Sequence, residues 1–228
     1  MKKYKYFLWD VDGTILNFEA AEKKAIRNLF DKFHLGECTD NMLKHYSEIN
    51  KKYWEMLECG EIEKKKMLVD RFVDFFSKEG IDPGIASEFN AQYQLALGDT
   101  IVFNDDAFDI INAQKKTAKI IIVTNGTKVA QEKKLERSGI DKLADYIFIS
   151  EEVGYEKPGI AFFEKVFSEA GITDLSEALI IGDSLTSDIQ GGCNAGIDTC
   201  WYNPKNLVND SKLTPTYMIQ NLHELHVK

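Results

Sequence analysis

Apolar residues follow two rhythms along this chain. Residues 4–10 form a short apolar run closed by Asp10, the pattern of a buried strand. From Glu19 to Gly98 the apolar positions recur every three or four residues instead. That periodicity predicts four helices, over 19–33, 40–58, 61–79 and 84–97, with Asp40 at a start, Gly60 at a stop, and Gly80 and Pro83 marking the third boundary. From residue 105 onward the two rhythms alternate. Helices are expected over 105–116, 127–138, 159–170 and 186–195, and strands over 118–124, 145–149, 178–182 and 197–202, with a short strand near 215–219. Uninterrupted apolar strands separated by helices predict a parallel sheet covered on both faces. The first strand has no partner in the helical stretch, so it must return to the later sheet. The expected organisation is an α/β core of residues 1–17 and 98–228, with an all-helical domain, 18–97, inserted between.

Composition narrows the classes of function. The chain is 44% hydrophobic and 29% charged, ordinary for a globular protein, and its formal net charge of −9 argues against a broad surface for nucleic-acid backbone. The N-terminus begins basic and then turns apolar, but Asp10 and Asp12 interrupt it too early for a signal peptide, and no stretch approaches a membrane span. Cys38, Cys59, Cys193 and Cys200 have no paired spacing, which predicts reduced, buried thiols in a cytoplasmic protein. Lys64, Lys65 and Lys66 fall on a helix and read as a solvated face. His223 and His226 are three apart but sit in the last residues and read as a tail.

Ligands of an open parallel sheet bind beyond the carboxyl ends of its strands, so the residues there carry the chemistry. The first strand ends in Asp10-Val11-Asp12-Gly13-Thr14. Two carboxylates two positions apart would point the same way in an ideal strand, an arrangement that needs a cation or a proton between them. An Asp-Gly turn with solvated carboxylates is the plainer alternative, although Ile15-Leu16-Asn17-Phe18 leads into a helix rather than a hairpin partner. The second strand ends in Thr124-Asn125-Gly126, which suits an anion site at a helix start or ordinary capping. Lys157-Pro158 follows the third strand, with Pro158 expected in the first turn of the next helix and Lys157 either solvated or a cation for the acidic rim. The fourth strand runs into Gly182-Asp183, with Asp188 five residues on, where a first-turn acid would also be favoured by the helix dipole. Each feature has a plain explanation; their succession at four separate strand ends does not.

The order Asp-x-Asp-Gly-Thr, apolar-Thr-Asn-Gly, Lys-Pro and Gly-Asp-x-x-x-x-Asp resembles the haloacid dehalogenase superfamily, and the helical insertion after the first motif resembles its type I cap. The resemblance implies a Rossmann-like α/β core and, because Asp12 is present, the phosphatase majority rather than the dehalogenases. It implies Asp10 as nucleophile, Asp12 as general acid and base, and Thr124, Asn125 and Lys157 at the phosphate. It also implies a Mg²⁺ site made by Asp10, Asp183 and the backbone carbonyl of Asp12, with Asp188 in support. Oxygen ligands suit that hard cation better than zinc. These roles require the carboxylates of residues 10, 12 and 183 to gather around one divalent cation at one rim of the sheet.

Tyr46 to Trp54, Asp70-Arg71-Phe72, Ile149 to Gly154, Gly191 to Gly196 and Cys200 to Asn203 are similar to the pyrimidine 5′-nucleotidase branch of that superfamily. The substrate so implied is a small phosphate ester, a nucleoside 5′-monophosphate, with no nucleic-acid or membrane partner; the alternatives are a sugar phosphate, phosphoglycolate, or a phosphomutase reaction. Tyr46, Asn50, Tyr53 and Trp54 share one helix face, where they either stack on a base or pack a core. Arg71 borders the apolar stripe Leu68, Phe72, Phe75 and Phe76, where it either meets substrate or pairs with a glutamate. The sequence leaves monomer and dimer equally open.

Overall fold

Six strands form one parallel sheet in the order β3-β2-β1-β4-β5-β6: β1 Tyr6–Trp9, β2 Lys119–Thr124, β3 Tyr146–Ile149, β4 Ala178–Gly182, β5 Asp198–Tyr202 and β6 Tyr217–Ile219. The computed structural model describes residues 1–225, so His226 lies outside the described residues. Apolar runs become parallel strands because both faces of the sheet are covered. Alternate residues divide between two cores: Phe7, Trp9, Ile120, Ile122, Leu179 and Ile181 lie with Ile110, Ile111 and Leu135, whereas Leu8, Ile121, Val123 and Ile180 lie with Phe162, Phe163 and Val166. β1 sits in the middle, with Tyr6 opposite Lys119 on one side and Ala178 on the other. The chain builds outward from β1 to β2 and β3, then returns to add β4, β5 and β6 on the opposite side. The order therefore reverses between β1 and β4, and the crevice beyond their carboxyl ends is where such sheets bind ligands.

The chain divides into two units, Met1–Phe18 with Ile101–Lys228, and Glu19–Thr100. The second holds α2 (Asp40–Glu58), α3 (Lys64–Glu79), α4 (Ala86–Leu97) and all but the first residue of α1 (Phe18–Lys32). Its centre is aromatic: Tyr46 stacks on Phe72 at 4.9 Å between ring centres, and Phe72 lies 5.0 Å from Phe89. The helices of the sheet unit are α5 (Ala107–Gln114), α6 (Lys128–Ser138), α7 (Ser150–Val153), α8 (Ile160–Ala170) and α9 (Gln190–Ala195).

Helix ends moved where local backbone chemistry overrides periodicity. Thr39, not Asp40, caps α2, its hydroxyl accepting from the Met42 amide at 3.3 Å. Asp105 and Asp106 adopt left-handed conformations (φ 41° and 57°), so α5 starts two residues later than expected. Pro158 is not in the first turn of α8, because Gly159 stands extended as its cap. A turn of π-helix, Leu185–Ile189, replaces the expected start of α9, with the Ser184 hydroxyl accepting from the Ser187 amide. The segment after β3 contains α7, which the sequence left without regular structure. Near the C-terminus Leu222 and Leu225 are buried, so this stretch is docked rather than a loose tail. All four cysteines are unpaired, but Cys200 alone is buried, and Cys59 and Cys193 are exposed. Among the described residues, no helix is long and apolar enough to cross a membrane.

Candidate active site

Asp10 follows the last residue of β1, and its amide still bonds the Ile181 carbonyl of β4 at 3.0 Å, which fixes it at the point where the strand order reverses. Asp183 and Asp188 arrive from the end of β4 and the turn beyond. One carboxylate oxygen from each of Asp10, Asp183 and Asp188 lies within 4.8 Å of the other two. Lys157, 1% exposed, reaches this group from the loop after α7. Its ammonium donates to Asp10 Oδ1 at 2.8 Å, Asp188 Oδ1 at 2.7 Å and the Val123 carbonyl at 2.9 Å. All three N–H groups are thereby engaged within the protein.

The electrostatics follow from three acids sharing one base. Burial pushes the Asp10 carboxyl up to about 7; Lys157 opposes the rise, and the charges of Asp188 and Asp12 add to it. Asp183 remains reachable by solvent although protein surrounds it closely, and that crowding, followed by the charges of Asp10 and Asp188, raises its carboxyl well above the usual range. Burial alone would lower Lys157, but the Asp10 and Asp188 carboxylates outweigh it and hold the ammonium above the ordinary lysine value. Excess negative charge among oxygen donors at one rim is a donor set that fits a hard divalent cation.

Gly13 and Asn104 shape the floor. Gly13 takes φ +93°, and a Cβ there would lie 2.4 Å from Asp183 Oδ2, so no other residue fits both the turn and the acid behind it. Asn104 Nδ2 donates to the carbonyls of Gly13 and Thr14, each at 3.0 Å, and Thr14 Oγ1 donates to Asp183 Oδ1 at 3.3 Å.

The Thr-Asn-Gly turn differs in detail from an open anion cradle. Thr124 Oγ1 accepts from the Gly126 amide at 3.0 Å. Asn125 clasps the backbone of Lys157, accepting from its amide at 2.9 Å and donating to its carbonyl at 2.7 Å. The first amide of α6, on Lys128, donates to Glu151 Oε2 at 2.7 Å, so a carboxylate from α7 already holds that helix start.

Asp12 corrects the expected trio of carboxylates. The chain leaves β1 at Trp9 and turns, with Leu16 N bonded to the Val11 carbonyl and Gly13 N to the Leu16 carbonyl, so Asp12 lies beyond the strand and its carboxylate is not one of the three that group within 4.8 Å. The Asp12 carboxylate accepts from Lys134 Nζ at 2.5 Å and Gln131 Nε2 at 2.7 Å, and Asp188 takes its place beside Asp10 and Asp183. Sequence reasoning missed Gln131 and Lys134. Their signal was a pair of polar residues on the face of α6 that also carries Ala130 and Leu135, a face that is buried.

Residues 7–202 match the family described as haloacid dehalogenase-like hydrolase. The chain belongs to that family. It is 38% identical to the HAD-hydrolase YfnB of Bacillus subtilis, over 99% of this chain and 95% of that one. It is 35% identical to pyrimidine 5′-nucleotidase PynA of Streptococcus pneumoniae (97% and 93% covered) and 30% identical to pyrimidine 5′-nucleotidase YjjG of Escherichia coli (98% and 96% covered). The crystal structure of YfnB bound to magnesium superposes with a TM-score of 0.92 at 37% identity, covering 98% of this chain and 97% of that one.

In this haloacid dehalogenase-like hydrolase two of the residues considered for substrate in the helical unit, Asn50 and Arg71, bond within that unit. Arg71 (1% exposed) donates to Asn50 Oδ1 at 2.6 Å, Asn90 Oδ1 at 3.2 Å and the Leu68 carbonyl at 3.2 Å, and lies over the rings of Phe72 and Tyr93. Asn50 (4% exposed) donates to Glu22 Oε2 at 2.8 Å, and Ser47 donates to Glu22 Oε1 at 2.8 Å. Glu22, Asn50 and Arg71 thus form one buried network within the unit, which supplies the partners that buried charges require. Tyr46 lies in the aromatic centre, and Tyr53 donates to Asp74. Of that helix face, Trp54 is only partly buried.

Proposed function

We propose that this hydrolase is a magnesium-dependent phosphatase acting on nucleoside 5′-monophosphates in the cytoplasm, through an aspartyl-phosphate on Asp10. The observation that carries the chemistry is the placement of the Asp10 carboxylate at the sheet's reversal point, beside a buried lysine and two further acids. The substrate class rests on the similarity to PynA and YjjG along nearly the whole chain.

A carboxylate oxygen of Asp10 attacks phosphorus as the bond to the ester oxygen breaks, and the Asp12 carboxyl gives that oxygen its proton. Water then attacks the aspartyl-phosphate, its proton passes to Asp12, and the Asp10 carboxylate is regenerated with release of inorganic phosphate. Lys157 and Thr124 offset or bind the phosphoryl charge, the former through its positive charge while tethered to Asp10 and Asp188. Asp10 and Asp183, with the carbonyl of Asp12, would hold Mg²⁺, and Asp188 would support them through Lys157. When bound, the cation neutralises charge between nucleophile and phosphate. Trp54 is the residue we assign to stacking on the base.

The test is phosphate release from a panel of esters with Mg²⁺. UMP and dTMP should be hydrolysed well ahead of sugar phosphates, phosphoglycolate and a generic aryl phosphate, and chelation should abolish turnover. Equal rates across the panel would remove the nucleotide assignment; turnover that survives exhaustive chelation would remove the metal.

A further inference from the structure

The geometry points to Gln131 and Lys134 as a pair of positioning residues that aim the Asp12 carboxyl. The inference deepens the reading above, since it rests on Asp12 as the acid that protonates the leaving group.

Three observations carry it. First, both oxygens of Asp12 are engaged by one helix: Lys134 Nζ at 2.5 Å on Oδ1 and Gln131 Nε2 at 2.7 Å on Oδ2. The two donors stand three residues apart on α6, so they share a face and form a rigid fork. Second, both side chains are buried, Gln131 completely and Lys134 to within 1% of exposure, a rare state for lysine without a partner. The Gln131 amide is turned so that its Nε2 meets Asp12 while its Oε1, also buried, has no hydrogen-bond partner. The reverse orientation would set that oxygen against the carboxylate, so Asp12 dictates the amide's direction. Third, the neighbouring turn is shaped around the fork. A Cβ on Gly126 would lie 2.1 Å from Gln131 Nε2 and 2.7 Å from its Cδ, so the glycine of the Thr-Asn-Gly turn leaves the path by which Gln131 reaches Asp12.

A carboxyl that must meet the departing oxygen benefits from one fixed orientation, and Asp12 lies on a turn rather than in a strand. The fork supplies that orientation from the sheet's own helix. A purely structural ion pair would use the same contacts, so the test must read proton donation rather than folding.

The experiment compares single-turnover release of the leaving group from UMP, or from the fastest alkyl ester of the panel, with that from p-nitrophenyl phosphate. An alkoxide needs a proton as it departs, whereas nitrophenolate leaves without one. Lys134→Met should slow alkyl ester cleavage about 10- to 100-fold more than nitrophenyl cleavage, a fraction of the usual contribution of a general acid. Asp12→Asn should show the same skew, and Asp12→Asn with Lys134→Met should cleave UMP no more slowly than Asp12→Asn alone. If Lys134→Met does not fold, Gln131→Leu takes its place and should skew the two esters in the same direction. Equal slowing of both esters, or a further loss in the double variant, overturns the inference. If Asp12→Asn itself shows no skew, the acid role of Asp12 fails and the inference fails with it. A skew in Asp12→Asn that both fork variants lack refutes the fork alone.

Discussion

Arg71 offers the sharpest division between a binding role and a structural one. Replacing it with methionine keeps much of its length and removes its charge. Three donated bonds would be lost, at 2.6, 3.2 and 3.2 Å, together with the contact over Phe72 and Tyr93. Glu22 would remain buried with its hydrogen bonds to Ser47 and Asn50 but without its cation. Removing one charge while the opposite one stays buried in the same network costs on the order of 3–5 kcal/mol, as for a broken buried pair. For a chain of this size that corresponds to a fall in Tm of roughly 6–20 °C, at 2–4 °C per kcal/mol. The loss should depend on pH. Burial already raises the Glu22 carboxyl despite Ser47, Arg71 and Asn50, and without Arg71 it must rise further. A folded-state value above the unfolded one gives stability that is full below the unfolded value and is lost as pH rises through the folded one. The deficit of Arg71→Met should therefore be smallest in mild acid and grow toward neutral and alkaline pH. Adding Glu22→Gln should recover much of it. Thermal melts from pH 5 to 8, with KM measured in parallel, check this. An unchanged melt with a raised KM would refute the structural assignment and restore Arg71 to the substrate.

Three further outcomes are expected. Asp10→Asn should remove essentially all turnover while leaving the far-UV circular dichroism spectrum unchanged; retained activity would exclude Asp10 as nucleophile. Lys157→Ala should lower kcat on the order of 10²–10³-fold, comparable to removing one charge-stabilising donor, and a loss below threefold would show that its role is only to hold the loop. Gly126→Ala should displace Gln131 from Asp12, because the added carbon would fall 2.1 Å from Nε2, and should reproduce the preference of the fork variants for nitrophenyl over alkyl esters.

The sheet was legible because its strands are covered on both sides and so appear as uninterrupted apolar runs, as in Lys119–Thr124 and Ala178–Gly182. The site was legible because polar residues that terminate such runs have few structural reasons to be there. Asp10, Lys157, Asp183 and Asp188 do converge, but the direction of Asp12 depended on a turn whose geometry no periodicity encodes. Lys134 was hidden beside Lys133, since a lysine on a buried helix face reads the same as one in solvent. Asn50 and Arg71 stayed open between substrate and internal partners for a related reason: polar groups on an apolar helix face suit either, and here Arg71 bonds Asn50 and Asn90, and Asn50 bonds Glu22.

The central position of β1 has a consequence for how the protein is made. Its four residues are synthesised before either of their hydrogen-bonding neighbours, which begin at Lys119 and Ala178. The intervening helices have their contacts close along the chain and can condense early, while the strand bearing Asp10 stays unpaired until both neighbours have been synthesised. Nascent chains released before Gly182 should therefore have a collapsed helical segment and a sticky N-terminal strand, and so depend on chaperones more than their length alone would suggest.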